Sequence, residues 1–267
     1  MSKLTGWTVP QTPSGRAATV PAPPWHYSGE VIAVDFIAEP ARVAELVPPG
    51  FTPRGDGGAT IFFCDWASAA ERDPRVQADP AKGQYKEAYV VLHGRFDGRR
   101  AGRVPYIWVD SELSLLRGLI QGFPKKLGEV HMTRPVEIGR GGAHKAPGER
   151  FAAHVSSLGR RLATVSVTIR EEAAGAQPAN GGTGPLVHTR HWPSLEGETP
   201  AIHELSLVTV TDVENGKMWR GDATLEFGGS EFEEVELLAP RSIGAGWVYS
   251  TAFSVVGGKT LPFGGER

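Results

Sequence analysis

The chain has one cysteine, no long apolar run and almost no excess of charge of either sign. A single cysteine, Cys64, among 267 residues excludes an intramolecular disulfide and any metal site built from several cysteines. No run approaches the roughly 18 apolar residues of a membrane span. The formal net charge of −2 argues against nucleic acid or a membrane surface as the main partner. Because the first residues also lack the apolar segment of a signal peptide, we expect a soluble cytoplasmic protein.

Glycine and proline are abundant, at 34 and 21 residues, and they punctuate short apolar runs. This pattern is typical of a turn-rich β protein rather than of disorder. Residues 1–24 are rich in proline and predict an extended N-terminal arm. No later segment has the length or composition of a linker, so residues 25–267 are expected to form one domain.

Apolar runs bounded by turn residues predict a mainly β fold with a few short helices. Residues 97–102 read as the turn of a β-hairpin, residues 69–85 as a polar loop, and Ala173–Gly184 as a loop tip. The predicted strands are Val31–Phe36, Ala59–Trp66, Lys86–Phe96, Arg103–Asp110, Phe151–Leu158, Arg161–Glu171, Glu204–Val213, Ala223–Phe227 and Trp247–Val256.

Two segments have helical character. Glu39–Val47 carries an early proline, and Ser111–Gln121 has apolar residues at helical spacing with a capping side chain in front of them. Gly122 is placed to end the second helix, and Pro124 forbids its continuation. The next residue, Lys125, therefore lies on a fixed segment just beyond a helix end.

Two adjacent lysines in residues 122–128, GFPKKLG, are the most informative feature of the chain. A lysine amine is a nucleophile only when unprotonated, and its ordinary pKa is about 10.4. An apolar pocket lowers that pKa, and so does a neighbouring cation. Lys125 is accordingly a candidate Schiff-base lysine, with Lys126 as the second cation. The alternative is an exposed basic turn.

Other side chains have weaker signals. Glu87, at the start of an apolar strand, could exchange protons with an enamine or could be an edge carboxylate in water. Arg117 could bind a carboxylate or could be a solvated helical arginine. His188 and His191 are three residues apart in an extended stretch without a third ligand, so we expect no metal.

The motif Phe123-Pro124-Lys125-Lys126-Leu127-Gly128 resembles that of the acetoacetate decarboxylase-like superfamily. A weaker similarity covers residues 204–213 and Trp219, and the match extends from about residue 25 to residue 256. The resemblance implies a conical barrel of antiparallel strands, or double sheet, that closes over an apolar cavity, and assembly into homo-oligomers.

The resemblance also assigns roles to individual residues. Lys125 matches the Schiff-base lysine of the family and Lys126 the neighbour that depresses its pKa. On an extended chain, however, successive side chains point to opposite faces, which favours desolvation as the larger effect. Glu87 matches a cavity glutamate, Phe123 the aromatic residue before proline, and Trp108 a position near an apolar wall.

The chain departs from the family at two positions. Gly29 lies about where the decarboxylases carry an arginine, and Cys64, with Asp65 beside it, replaces a second cavity glutamate. A different substrate-binding set is therefore expected, for which the candidates are Arg117, Gln121 and Tyr249.

These features predict a carbon–carbon lyase that acts on a small oxo-acid. Lys125 would form an iminium and Glu87 would be its acid–base. Gly29 in place of arginine favours aldolase or dehydratase chemistry. The alternatives are decarboxylation of acetoacetate or another β-keto acid, and a barrel that binds a small ligand without turnover. No metal, nucleotide or flavin is implied, because the lysine supplies the covalent chemistry.

Overall fold

The computed structural model describes residues 3–178 and 185–264, and strands account for most of them. The strands are β1 (Trp25–Ile37), β2 (Phe51–Pro53), β3 (Gly58–Ala70), β4 (Gln84–Phe96), β5 (Arg99–Val109), β6 (Lys125–Leu127), β7 (Glu129–Met132), β8 (Arg150–Ser157), β9 (Arg160–Glu172), β10 (Val187–Ser194), β11 (Gly197–Asn215), β12 (Trp219–Phe227) and β13 (Ser242–Pro262). The helices are α1 (Pro40–Glu45), α2 (Arg75–Ala78), α3 (Pro80–Gly83), α4 (Glu112–Gln121) and a 3-10 helix at Val235–Leu238. The mainly β prediction is confirmed. No helix in the described ranges is long and apolar enough to cross a membrane.

The strands pair in the order β6-β5-β4-β3-β1-β13-β12-β9-β8-β7, while β2 pairs with β4, and β11 pairs with both β10 and β13. Pairing is antiparallel except between β5 and β6. The two ends of this path, β6 and β7, are consecutive in the chain and are joined by Gly128. The Gly128 amide donates to the Val109 carbonyl at 2.9 Å. The two ends of the sheet therefore meet at one residue, but within residues 3–178 and 185–264 no ladder joins β6 to β7, so hydrogen bonds do not close the sheet there.

The central strands are buried on both faces, so they carry nearly continuous apolar runs. Along β1, Ile32 and Val34 belong to a first core, which is shared with β7, β8 and β9. Val31 and Ala33 face a second core, which is completed by α4, by Leu186 just before β10, and by residues of β11. This alternation follows from the two-residue period of a strand, and it places a cavity on the second-core side.

Helix α4 forms where its end signals predict. The Ser111 hydroxyl accepts a hydrogen bond from the Ser114 amide, and Gly122 adopts a left-handed conformation with φ of 90°. A side chain is disfavoured at such a φ, so glycine ends the helix there. The chain then turns through Pro124 directly into β6.

Several predicted boundaries were wrong. The hairpin turn is only Asp97-Gly98, both at positive φ, so β5 begins at Arg99. Residues 69–85, predicted as loop, contain α2 and α3. Residues 179–184 of the predicted loop tip lie outside the described residues. The late strands are longer than predicted because β13 changes neighbours along its length, pairing with β1, β11 and β12.

Candidate active site

A small cavity opens in the second core beside α4 and β6. Its lining combines polar groups, among them those of Lys125, Glu87 and Gln121, with apolar side chains. The lining residues are Tyr27, Trp66, Tyr85, Glu87, Tyr89, Ile107, Gln121, Phe123, Lys125, Leu186, Val208, Val210, Phe253 and Val255.

Lys125 enters this cavity from β6, which is held by parallel pairing with β5. Its side chain is 8 % exposed, and its Nζ lies 2.9 Å from Glu87 Oε2 and 2.8 Å from Ser114 Oγ. The side chain crosses α4 at Gly118, where an added Cβ would lie 2.3 Å from Lys125 Cδ. Because residue 118 is glycine, the Lys125 side chain can pass across α4, and its amine reaches the Glu87 carboxylate.

Glu87 lies on β4 between two strands, with Tyr85 and Tyr89 on the same face. Its carboxylate uses both oxygens: Oε1 accepts from Trp66 Nε1 at 2.9 Å, and Oε2 accepts from Lys125. The side chain is 10 % exposed. A buried carboxylate is stable only with such partners, and here one partner is a neutral donor and the other an amine.

Burial lowers the pKa of Lys125 from its ordinary value. The Glu87 carboxylate opposes this shift, both by its charge and by its hydrogen bond, whereas the nearby cation Arg117 adds to it. Burial also raises the pKa of Tyr85 and of Tyr89 well above 10, so both hydroxyls keep their protons. The cavity thus combines a desolvated amine, one carboxylate and neutral donors.

Arg117 is buried on α4, behind the aromatic wall of the cavity. Its guanidinium carbon lies 4.7 Å from the Tyr27 ring centroid and 5.6 Å from that of Trp25, and one nitrogen donates to Tyr85 Oη at 3.3 Å. Arg117 is absent from the residues that line the cavity. Its position suits an effect on Lys125 through charge rather than direct contact with a bound molecule.

Gln121 and Phe123 lie at the cavity surface, as the sequence predicts. Gln121 Nε2 donates to the Arg117 carbonyl at 2.9 Å, and the Gln121 carbonyl accepts from Ser206 Oγ of β11 at 2.6 Å. The Phe123 ring centroid lies 5.7 Å from Lys125 Nζ and 3.8 Å from that of His188. These contacts fix the end of α4 against β10 and β11.

The structure corrects the placement of Lys126 and Trp108. Because alternate residues of a strand point to opposite faces, Lys126 leaves the cavity, and its half-exposed amine lies 3.1 Å from Glu233 Oε2. The Trp108 side chain is fully buried in the first core and donates to Glu233 Oε1 at 3.1 Å. Ile107 is the β5 residue that faces Lys125. The neighbouring cation that lowers the pKa of Lys125 is therefore Arg117.

Tyr249, a further candidate, is fully buried in the second core but does not line the cavity. The two departures from the family pattern contact residues that line the cavity. Cys64 Sγ lies 4.0 Å from Tyr89 Oη. An added Cβ at Gly29 would lie 2.4 Å from both the Asp65 carbonyl oxygen and Trp66 Cε3.

Sequence reasoning missed Ser114, Trp66 and the apolar residues that line the cavity. Ser114 lies one helical turn before Gly118 on the face that Lys125 crosses, a spacing that could have pointed to it. Trp66 shares the strand face of Cys64, since it is two residues further along β3. His188 is buried and His191 exposed, and in residues 3–178 and 185–264 no three or more candidate ligands cluster as a metal site.

Residues 8–262 match the family model of acetoacetate decarboxylase. A comparison with curated proteins gave no match. The enduracididine biosynthesis enzyme MppR, solved with the condensation product of pyruvate and imidazole 4-carboxaldehyde, is 35 % identical, with a TM-score of 0.91 over 98 % of each chain.

Two further solved structures are similar. An acetoacetate decarboxylase-like enzyme from Sphingomonas wittichii RW1 is 29 % identical, with a TM-score of 0.87 over 96 % of this chain and all of that one. Acetoacetate decarboxylase from Legionella pneumophila shares the fold, with a TM-score of 0.73 at 17 % identity over 90 % of this chain and 88 % of that one. The chain belongs to the acetoacetate decarboxylase family.

Proposed function

We propose that this member of the acetoacetate decarboxylase family is a Schiff-base lyase that condenses a small 2-oxo acid such as pyruvate with an aldehyde and then removes water. The observation that carries the proposal is the Lys125 amine, desolvated in an apolar cavity and in direct contact with Glu87 and Ser114. Burial and Arg117 favour its neutral form, which is the nucleophile.

In the first stage the neutral Lys125 amine attacks the ketone carbon of the oxo-acid. The resulting carbinolamine loses water and becomes an iminium. Glu87 then accepts a proton from the carbon next to the iminium, and the electron pair of that C–H bond gives an enamine. The 2.9 Å contact between Glu87 Oε2 and Lys125 Nζ supports this role, because it places the carboxylate beside the new C–N bond.

In the second stage the enamine carbon attacks the aldehyde carbon, and the aldehyde oxygen takes the proton held by Glu87. Glu87 then removes one of the two protons left on the same carbon and passes it to the new hydroxyl, which leaves as water as the carbon–carbon double bond forms. Hydrolysis of the unsaturated iminium by a second water releases an unsaturated 2-oxo acid and returns the Lys125 amine. The net reaction joins one oxo-acid to one aldehyde and yields one water.

The apolar part of the cavity lining indicates the kind of aldehyde. It comprises Leu186, Val208, Val210, Phe253 and Val255. A charged aldehyde would lose its hydration there without a partner. We therefore propose an uncharged, apolar acceptor. That MppR is solved with a pyruvate–aldehyde condensation product supports the reaction class.

Decarboxylation of a β-keto acid would begin from the same iminium, which would lose CO2 instead of a proton. Gly29 and the indole over it leave the first strand without the family's arginine, so we place this reaction second. Cytoplasmic location, homo-oligomeric assembly and the division into an arm and one domain remain predictions.

The test is borohydride trapping with pyruvate and with acetoacetate, followed by intact-mass analysis and peptide mapping. We expect a reduced pyruvate adduct on Lys125, and an absorbing unsaturated oxo-acid when an aromatic aldehyde is added. The matched control is Lys126→Met, which leaves the cavity intact. No adduct with either acid would contradict the Schiff-base proposal, and release of CO2 from acetoacetate without condensation would favour decarboxylation.

A further inference from the structure

Trp66 has a contact with the candidate acid–base that no sequence signal predicts. It lies on β3, is 3 % exposed, and donates its indole N–H to Glu87 Oε1 at 2.9 Å. Edge-to-face contacts with Tyr27 and Phe253, at centroid distances of 6.1 and 5.5 Å, hold the ring from two further strands. The indole is therefore packed in one orientation with its N–H aimed at the carboxylate.

The space under the indole exists because residue 29 is glycine. Gly29 pairs with Trp66 across β1 and β3, and an added Cβ would lie 2.4 Å from Trp66 Cε3. Any side chain at position 29 would displace the ring or the strand beside it. Gly29 and Trp66 thus act as a pair, in which the absence of one side chain permits the orientation of the other.

The two oxygens of Glu87 have different tasks in this arrangement. An indole N–H donates but does not accept, and it does not ionise in the working pH range. Its bond therefore fixes Oε1 and leaves Oε2 for Lys125 and for any proton taken from the substrate. Without the indole, the carboxyl group could rotate away from the position beside Lys125 Nζ.

We propose that Trp66, seated on Gly29, is a positioning residue that orients Glu87 for proton transfer. This inference rests on the proposed function, because it concerns the step that follows iminium formation. It separates two quantities: formation of the iminium on Lys125, which needs the amine, and exchange of the protons next to the iminium, which needs Glu87 in place.

The experiment compares Trp66→Phe with Trp108→Phe. Each variant removes a buried indole that donates to a glutamate, but Trp108 lies in the first core and donates to Glu233. Two rates are measured with pyruvate: borohydride trapping, and exchange of the methyl protons for deuterium in D2O. Thermal unfolding of each variant is recorded alongside.

For Trp66→Phe we expect exchange to fall by about 10- to 100-fold, the scale of a lost hydrogen bond to a charged group, while trapping changes by less than about 3-fold. Trp108→Phe should alter neither rate. Gly29→Ala, which pushes the indole from the neighbouring strand, should reproduce the selective loss. Its added effect in the Trp66→Phe background should be smaller than in the wild type.

Exchange that survives in Trp66→Phe, or exchange and trapping that fall together, would overturn the positioning role. If Trp66→Phe does not fold, Gly29→Ala decides the matter by the same two rates. A wild-type protein that gives no adduct would overturn the proposed function, and this inference with it, and so would be distinguished from a failure of Trp66 alone.

Discussion

The two faces of β6 carry the same three kinds of side chain in different surroundings. The Lys125 set comprises Lys125, Glu87 and Trp66, and the Lys126 set comprises Lys126, Glu233 and Trp108. In each set the glutamate accepts an indole N–H at Oε1 and contacts the lysine amine through Oε2. The lysine side chain is 8 % exposed in the first set and 52 % exposed in the second.

The two sets have the same kinds of residue but differ in their surroundings. A lysine, a glutamate and a tryptophan do not by themselves make a reactive amine, since both faces have them. What distinguishes Lys125 is loss of water, the hydroxyl of Ser114 as a second partner, and the buried Arg117 cation. The amine of Lys126 instead donates to the Phe232 carbonyl at the surface.

The largest effect is expected from removal of each lysine in turn. Lys125→Met should abolish trapping and turnover, because the covalent bond has no other site. Lys126→Met should leave both within about 2-fold, since its side chain lies on the opposite face of the strand. Peptide mapping of the trapped protein checks the assignment, and an adduct on residue 126 would reverse the comparison.

Removal of each carboxylate should have the next largest effect. Glu87→Gln keeps the shape of the side chain but loses the base, so proton exchange should fall by about 10²- to 10⁴-fold, the usual contribution of a general base. Glu233→Gln should change exchange little. Equal losses in the two variants would mean that overall stability, rather than proton transfer, explains the effect.

Added bulk on α4 at residue 118 should slow the reaction of Lys125. Gly118→Ala places a Cβ on the path of the Lys125 side chain, and overpacking of this kind costs about 1–3 kcal/mol. We expect trapping to slow by about 10-fold or more with a lower melting temperature. The control is Ser111→Ala, which also destabilises α4, by removal of its cap, but leaves the path of Lys125 open. Normal trapping in Gly118→Ala would show that the amine reaches its position by another route.

The smallest effect is expected from Ser114→Ala. The variant removes one hydrogen bond to the amine but leaves burial and the Glu87 contact in place. A neutral hydrogen bond of this kind contributes about 1 kcal/mol, so trapping should change by less than about 10-fold. A loss as large as that in Lys125→Met would place the hydroxyl in the chemistry itself.

Local signals predicted much of this site. Asp110 or Ser111 was predicted to cap the start of α4, and Ser111 does so; Gly122 ends the helix, and the segment after it fixes where Lys125 emerges. Strand alternation also indicates that Lys126 faces away. Phe123 belongs to the local lysine motif, whereas Glu87, 38 residues before Lys125, could be placed only by family resemblance.

The remaining features are non-local. Trp66 is 21 residues before Glu87, and their contact depends on the register of β3 against β4 and on a glycine in a third strand. Likewise Arg117, predicted either to contact a carboxylate or to be solvated, is buried among aromatic rings from β1 and β4. Neither arrangement follows from periodicity, since each requires the order of strands in the sheet.

The central claim is that burial keeps the Lys125 amine partly neutral at working pH, and the pH dependence of pyruvate trapping tests it most directly. The neutral amine attacks, so a lowered pKa moves the rise in rate to lower pH. We therefore expect the midpoint of the rise to lie below pH 10.5, the ordinary value, in the wild type and in Lys126→Met alike. A rate that is still rising through pH 10.5, with its midpoint at or above that value, would contradict it.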